Sequence, residues 1–114
     1  MKKLIEMSEH EINCLIATEL GFKIKERWLN TGIIILNLLH NGNTVVRPVD
    51  YCKNSSDYMP IAIEHCIDID FYDDDVQCSS CTHLNIYRTG RFMPKSDTGR
   101  AVCERFLMTR GHDE

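Results

Sequence analysis

Cys78-Ser79-Ser80-Cys81-Thr82-His83 is the stretch of this 114-residue chain whose residue types and spacing could do chemistry. A Cys-x2-Cys pair can hold two corners of a tetrahedral zinc ion, and His83, His65 or Cys66 could supply the others. Zinc modules of this kind usually carry two such pairs; here there is one. The pair could also work as a redox dithiol, but the residues after it read as a strand, without the helix that a thioredoxin-like motif requires. The default is six plain, reduced thiols. Cys78, Cys81 and His83 stand as weak metal candidates, and no metal or other cofactor is expected.

Asp68, Asp70 and the run Asp73-Asp74-Asp75 raise the question of a calcium or magnesium site. An EF-hand loop needs a glycine at its sixth position and a glutamate at its end, and neither is present. Nucleophile elbow, phosphate-binding glycine loop, zincin helix and dinucleotide fingerprint are all missing, so no enzyme is expected. What remains are residues that make contacts. The stretch from Asp50 to Ile61 joins the two halves of the chain and mixes acids with two tyrosines. That is the composition of many interface hot spots. The competing reading is that the rings pack down and anchor the loop. The candidate binding residues are Asp50, Tyr51, Asn54, Asp57 and Tyr58, with Asp73, Asp74 and Asp75 from the acidic run.

The elements that must position these groups can be read from pattern. Ser8 and Glu11 form a capping box, with Met7 and Ile12 at the staple positions. Ile12, Leu15, Ile16 and Leu20 share one face, Cys14 lies off it, and Gly21 stops the helix, giving a helix over 9–20. Phe22 to Trp28 alternates as a half-buried strand, broken at Glu26. After a turn at Asn30-Thr31-Gly32, Ile33 to Leu39 reads as a central strand covered on both faces. Asn41-Gly42 is a hairpin signal, and Thr44 to Val46 returns until Pro48 ends it. Ser55, Ser56 or Asp57 caps a short helix to about His65, with Pro60 in its first turn. Ile67, Ile69 and Phe71 point inward from a strand whose Asp68 and Asp70 point out. Asp73 to Asp75 must be loop, residues 76–82 read as irregular, and 83–88 as a strand through Leu84 and Ile86. A last helix opens at Ser96 or Asp97, buries Val102, Cys103, Phe106 and Leu107, pairs Arg100 with Glu104, and closes at Gly111. The fold class is α+β: an antiparallel sheet of about five strands with three helices, two of them packed on one face, in a single domain over 1–114.

Composition agrees. Hydrophobic content of 43% and charged content of 26% suit one modest core. No apolar run approaches the length of a membrane span, so no membrane association is expected. Met1-Lys2-Lys3-Leu4-Ile5 meets Glu6 too early for a secretory signal, which favours a cytoplasmic, reducing setting. The net charge of -4 is uneven. Asp50, Asp57, Glu64, Asp68, Asp70 and Asp73 to Asp75 face Lys53 alone, whereas Arg88, Arg91, Lys95, Arg100, Arg105 and Arg110 make the last third mildly basic.

Three blocks resemble the NinX-like proteins of lambdoid bacteriophages and prophages. They are Met7-Ser8-Glu9-His10-Glu11-Ile12-Asn13 leading to Ala17; Asp50 to Ile61 with Ile67-Asp68-Ile69; and Arg100-Ala101-Val102-Cys103 through Phe106-Leu107-Met108. The resemblance implies a small accessory protein of an infected bacterium and supplies no activity, catalytic residue or cofactor. The expectation is a protein that binds a host or phage protein in the bacterial cytoplasm, with inhibition of a host antiviral defence as one outcome. The alternative is a nucleic-acid accessory factor working through the basic last third. Oligomeric state is unreadable beyond the general frequency of symmetric homodimers.

Overall fold

The structure is a computed structural model that describes residues 2–27, 33–40, 43–81 and 86–113. Its elements in chain order are a 3-10 turn at Leu4–Glu6, α1 (Glu9–Glu19), β1 (Lys23–Arg27), β2 (Ile34–His40), β3 (Asn43–Val49), α2 (Ser55–Glu64), β4 (Asp68–Phe71), β5 (Asp75–Cys81), β6 (Tyr87–Thr89), β7 (Met93–Pro94), a 3-10 turn at Lys95–Asp97, and α3 (Thr98–Thr109). Strands β1-β2-β3 form one antiparallel sheet; β4-β5-β6, with β7 also on β5, form a second. The α+β class, the antiparallel pairing and the three helices are as the sequence predicts, and among the described residues the strands number seven, in two sheets where one of about five was expected. Each sheet has its own helix: α1 lies on β1 and β2, and α3 on β5 and β7, while α3 also packs against α1 and α2.

α1 forms where its caps require. Ser8 Oγ accepts from the Glu11 N–H at 3.2 Å, and Glu11 Oε1 accepts from the Ser8 N–H at 3.3 Å. At the other end Phe22 N–H donates to the Ala17 carbonyl and Gly21 N–H to that of Thr18. This is a Schellman ending, and it puts Gly21 at φ 83°, where a side chain would be strained. α3 ends the same way, through His112 N–H to Leu107 O and Gly111 N–H to Met108 O.

In the first sheet, the break in alternation at Glu26 is a bulge between Ile24 and Glu26. Ile34 and Leu36 are buried, but Ile33 and Ile35 are half-buried, so β2 is not covered equally on its two faces there. β3 does not stop at Pro48, which pairs with Ile35. As an edge strand, β3 tolerates a residue with no N–H. Trp28, the turn at 30–32, Asn41-Gly42 and residues 83–85 lie outside the described residues.

The second sheet departs most from the sequence reading. Residues 76–81 are not irregular: Asp75 to Cys81 is β5, the strand that pairs with β4, β6 and β7, and Thr82 lies outside the described residues. Its inward positions are Val76, Cys78 and Ser80, small residues that give a weak hydrophobic signal yet are buried beside α3. Asp75 begins that strand, so the bend holds only Asp73 and Asp74. Phe71, expected inside, is exposed, and the strand read through Ile86 begins at Tyr87, with Ile86 itself exposed. Phe71 ends an edge strand with a neighbour on one side only. Pro60 sits in the second turn of α2, and the N-cap is Asn54, whose carbonyl accepts from the Asp57 and Tyr58 N–H groups.

α3 is the interior element. Ala101, Val102, Cys103, Phe106 and Leu107 are buried, and so are Gly99, Glu104 and Arg105. Among the described residues no helix is long and apolar enough to cross a membrane. Close approach explains Gly99: a Cβ there would lie 2.3 Å from the Cys52 carbonyl oxygen and 2.7 Å from the Tyr58 ring. Backbone cannot yield as a flexible side chain can. Gly99→Ala should therefore destabilise the fold by about 3 kcal/mol, at the upper end of overpacking costs. Urea unfolding checks this; the midpoint falls while the slope stays unchanged.

Candidate functional site

The link between the halves is held from below by α1. Asn13, buried on α1, donates from Nδ2 to Asp50 Oδ1 at 2.9 Å, and its Oδ1 accepts from the Cys52 N–H at 3.1 Å. One amide thus clips the loop at two points. Asp57, in the first turn of α2, turns back into the same network. Its Oδ2 accepts from the Asp50 N–H at 3.0 Å and from Asn54 Nδ2 at 3.3 Å, and its Oδ1 from Arg47 Nη2 at 2.5 Å. A buried carboxylate needs such partners. Tyr51 lies beside it; burial, then the charge of Asp57, partly offset by Arg47, pushes its phenol up to about 12, so the ring stays neutral.

Asp50, Tyr51 and Asp57 are therefore inside and act as framework, and Tyr58 is half-buried against the core. Asn54 is exposed, but its side-chain amide serves Asp57. Above the network runs a groove of about 430 Å³, bounded by Phe22, Arg47, Tyr51, Ser56, Pro60 and Glu64. Pro60 has no N–H to give the Ser56 carbonyl, which leaves an acceptor on the groove wall.

The other candidates form a separate site on the surface. Asp73, Asp74 and Asp75 are exposed at the β4–β5 turn. The Tyr72 N–H closes that turn onto the Asp75 carbonyl at 2.8 Å, and the Lys95 N–H reaches the Asp74 carbonyl at 3.3 Å. Near the acids are three exposed aromatic residues that the sequence reading did not take as binding residues: Phe71, Tyr72 and Phe92, with exposures of 61%, 49% and 57%. Tyr72 and Phe92 meet edge to face with centroids 5.4 Å apart. The available signal was Phe71-Tyr72 abutting three aspartates, which places two rings at a turn. The place of Phe92 beside them was not readable, because it joins the group only through the return of β7 to β5.

Cys78 and Cys81 part company on β5. Residues three apart on a strand point to opposite faces; Cys78 is buried and Cys81 exposed. His83 lies outside the described residues. All six cysteines are unbridged, and among the described residues no three His, Cys, Asp or Glu side chains are grouped to hold a metal. Burial pushes the Cys78 thiol up to about 12. Burial, with a hydrogen bond to Cys52, also raises Cys103, so neither is a ready thiolate. Cys14 stands beside a base, with Sγ 3.7 Å from His10 Nε2 one turn back, in a shallow groove of about 290 Å³ along α1. Their i,i+4 spacing was legible in the sequence and was not used.

The basic last third is partly engaged inside: Arg91, Arg100 and Arg105 are half-buried or buried, whereas Arg88, Lys95 and Arg110 are exposed. Glu104, with its side chain 4% exposed, is held by Arg91 from Nε and Nη2 at 3.0 and 2.9 Å and by Arg100 Nε at 2.8 Å. Arg100 also donates from Nη2 to the carbonyls of Leu4 and Met7, tying the N-terminal turn to α3. Arg105 is buried, and Arg110 lies 5.2 Å over the Phe106 ring. Burial raises the Glu104 pKa, but the two arginines outweigh it and hold it below 4.5. A depressed carboxylate stabilises the fold fully above its unfolded value, and that contribution is lost as pH falls through the folded one. Glu104→Gln should cost about 3–5 kcal/mol at neutral pH, since it strands two guanidinium groups. Urea titrations at a series of pH values should show the gap from wild type widest at neutrality and closing below 4.5.

No family model, curated protein or solved structure matches this chain, so the site is argued from its own geometry.

Proposed function

We propose that this chain acts by binding another protein through the acidic, aromatic end of its second sheet, without catalytic turnover and without a cofactor. One observation carries the reading: Phe71, Tyr72 and Phe92 are held in water around Asp73, Asp74 and Asp75. Apolar rings grouped at a surface and rimmed by charge are the composition of a contact site. Asp68 and Asp70 extend the negative charge along β4, and among the described residues none of these five carboxylates makes an ion pair. The complement is a basic surface on the partner, which would also speed encounter.

The resemblance to NinX-like phage proteins supplies the setting: a host or phage protein in the infected bacterial cytoplasm, with inhibition of an antiviral defence as the function to test. The nucleic-acid reading is less favoured, because Arg91 and Arg100 neutralise Glu104 and Arg105 is buried. A homodimer through this end would bring like charges together, which disfavours it.

Two exposed-site variants separate this from framework effects: Tyr72→Ala with Phe92→Ala, and Asp73, Asp74 and Asp75 all to Asn. Each should weaken partner capture from infected cells by at least about thirtyfold, the loss a hot spot implies. Thermal unfolding should shift by no more than about 0.5 kcal/mol, since these side chains are on the surface. Undiminished capture by both variants would remove the proposal.

A further inference from the structure

We infer that the partner segment binding this end is an extended strand of alternating basic and apolar residues, added to the open edge of β4. This rests on the proposed protein-binding role and says what kind of segment is bound and how.

β4 is the last strand of its sheet: its register is with β5 alone, Asp68 opposite Ser79 through Phe71 opposite Val76. Among the described residues no strand lies on its other side. An edge strand presents every second backbone N–H and C=O outward, ready to pair. Among the described residues, the backbone bonds outside the helices and strands include none from the N–H groups of residues 68–71, so no described loop takes up the edge.

The side chains say which strand fits. Asp68 and Asp70 stand on the solvent face; Tyr87, reaching over from β6, donates its hydroxyl to Asp68 Oδ2 at 2.9 Å and fixes that carboxylate. Ile69 and Phe71 stand on the core face, where Ile69 is half-buried and Phe71 exposed. The apolar row of the sheet thus runs on to the edge and ends uncovered. A strand laid beside β4 places a side chain opposite each of these four in turn. Lysine or arginine opposite Asp68 and Asp70, and apolar residues opposite Ile69 and Phe71, would satisfy both faces at once. The same charges work against a second copy of β4, since aspartates would then meet aspartates. Exposed charge is a common guard against edge pairing; here its sign excludes self-association and selects a basic strand.

The experiment uses the full chain and three synthetic peptides of equal charge. The first alternates lysine and valine. The second is the same with both central residues N-methylated, which removes a donor from each of its edges. The third alternates lysine and glycine. Binding is measured by calorimetry at low salt, and amide exchange across residues 68–71 by NMR. The first peptide should bind about tenfold more tightly than the other two and slow exchange at alternate β4 amides by a similar factor. Equal binding of all three with no β4 protection would overturn the strand addition and leave the acidic, aromatic contact standing. No binding by any peptide would also overturn it. Retention of β4 protection by the first peptide, together with undiminished partner capture, in the Tyr72/Phe92 and Asp73–75 variants would instead separate the edge from the proposed contact and count against the latter.

Discussion

A carboxylate in the middle of a buried helix sets the terms for much of this structure. Glu104 lies on α3 with little access to water, and an unpaired charge there would cost several kcal/mol. Two guanidinium groups answer it, one from the segment before β7 and one from a turn back on α3. Arg100 then has donors left over, and it spends them on the carbonyls of Leu4 and Met7. The N-terminal turn, the central helix and the second sheet are thereby joined through a single charged group. Hydrophobic burial supplies most of the driving force, but it is non-directional. The paired charges add the direction, fixing how the three pieces meet.

The junction between the halves follows the same logic with neutral and charged groups mixed. Asn13, Asp50 and Asp57 are polar side chains inside, and each finds at least one partner there. This is why Asp50, Tyr51 and Asp57, which resembled contact residues in the sequence, lie inside the fold. This stretch shares its acids and tyrosines with interfaces because both bury polar groups against apolar ones. Composition cannot tell an interface with another chain from an interface with α1. Asn13 was the missing piece, and nothing in its local sequence marks it: asparagine inside a helix reads as a solvent-facing residue.

Local rules fared well wherever local bonds decide. The capping box, the two glycine endings and the break at Glu26 were all visible, since each depends on residues within a turn of one another. β5 was hidden because its burial comes from α3, further along the chain, and from the strands folded back against it, and its inward residues are Cys and Ser as well as Val. Phe71 misled for the opposite reason. Its alternation with aspartates was a true strand signal, but periodicity gives a face and not the width of the sheet. The last strand of a sheet can show its inner face to water.

Charge distribution connects these observations. Outside the β4–β5 hairpin, acids tend to be neutralised: Glu11 by Lys2, Glu9 and Asp97 by Lys53, Asp57 by Arg47, Glu104 by Arg91 and Arg100. The hairpin carries Asp68, Asp70 and Asp73 to Asp75 in near succession with no such answer among the described residues. Like charges on one strand repel, and exposed rings beside them bury less apolar surface than they could. Both features cost stability, and neither is needed by the core, whose inward residues on β5 are already covered by α3. Five carboxylates close together in the chain without an ion pair among the described residues, beside exposed aromatic rings, make this hairpin a place where the fold itself leaves interactions incomplete.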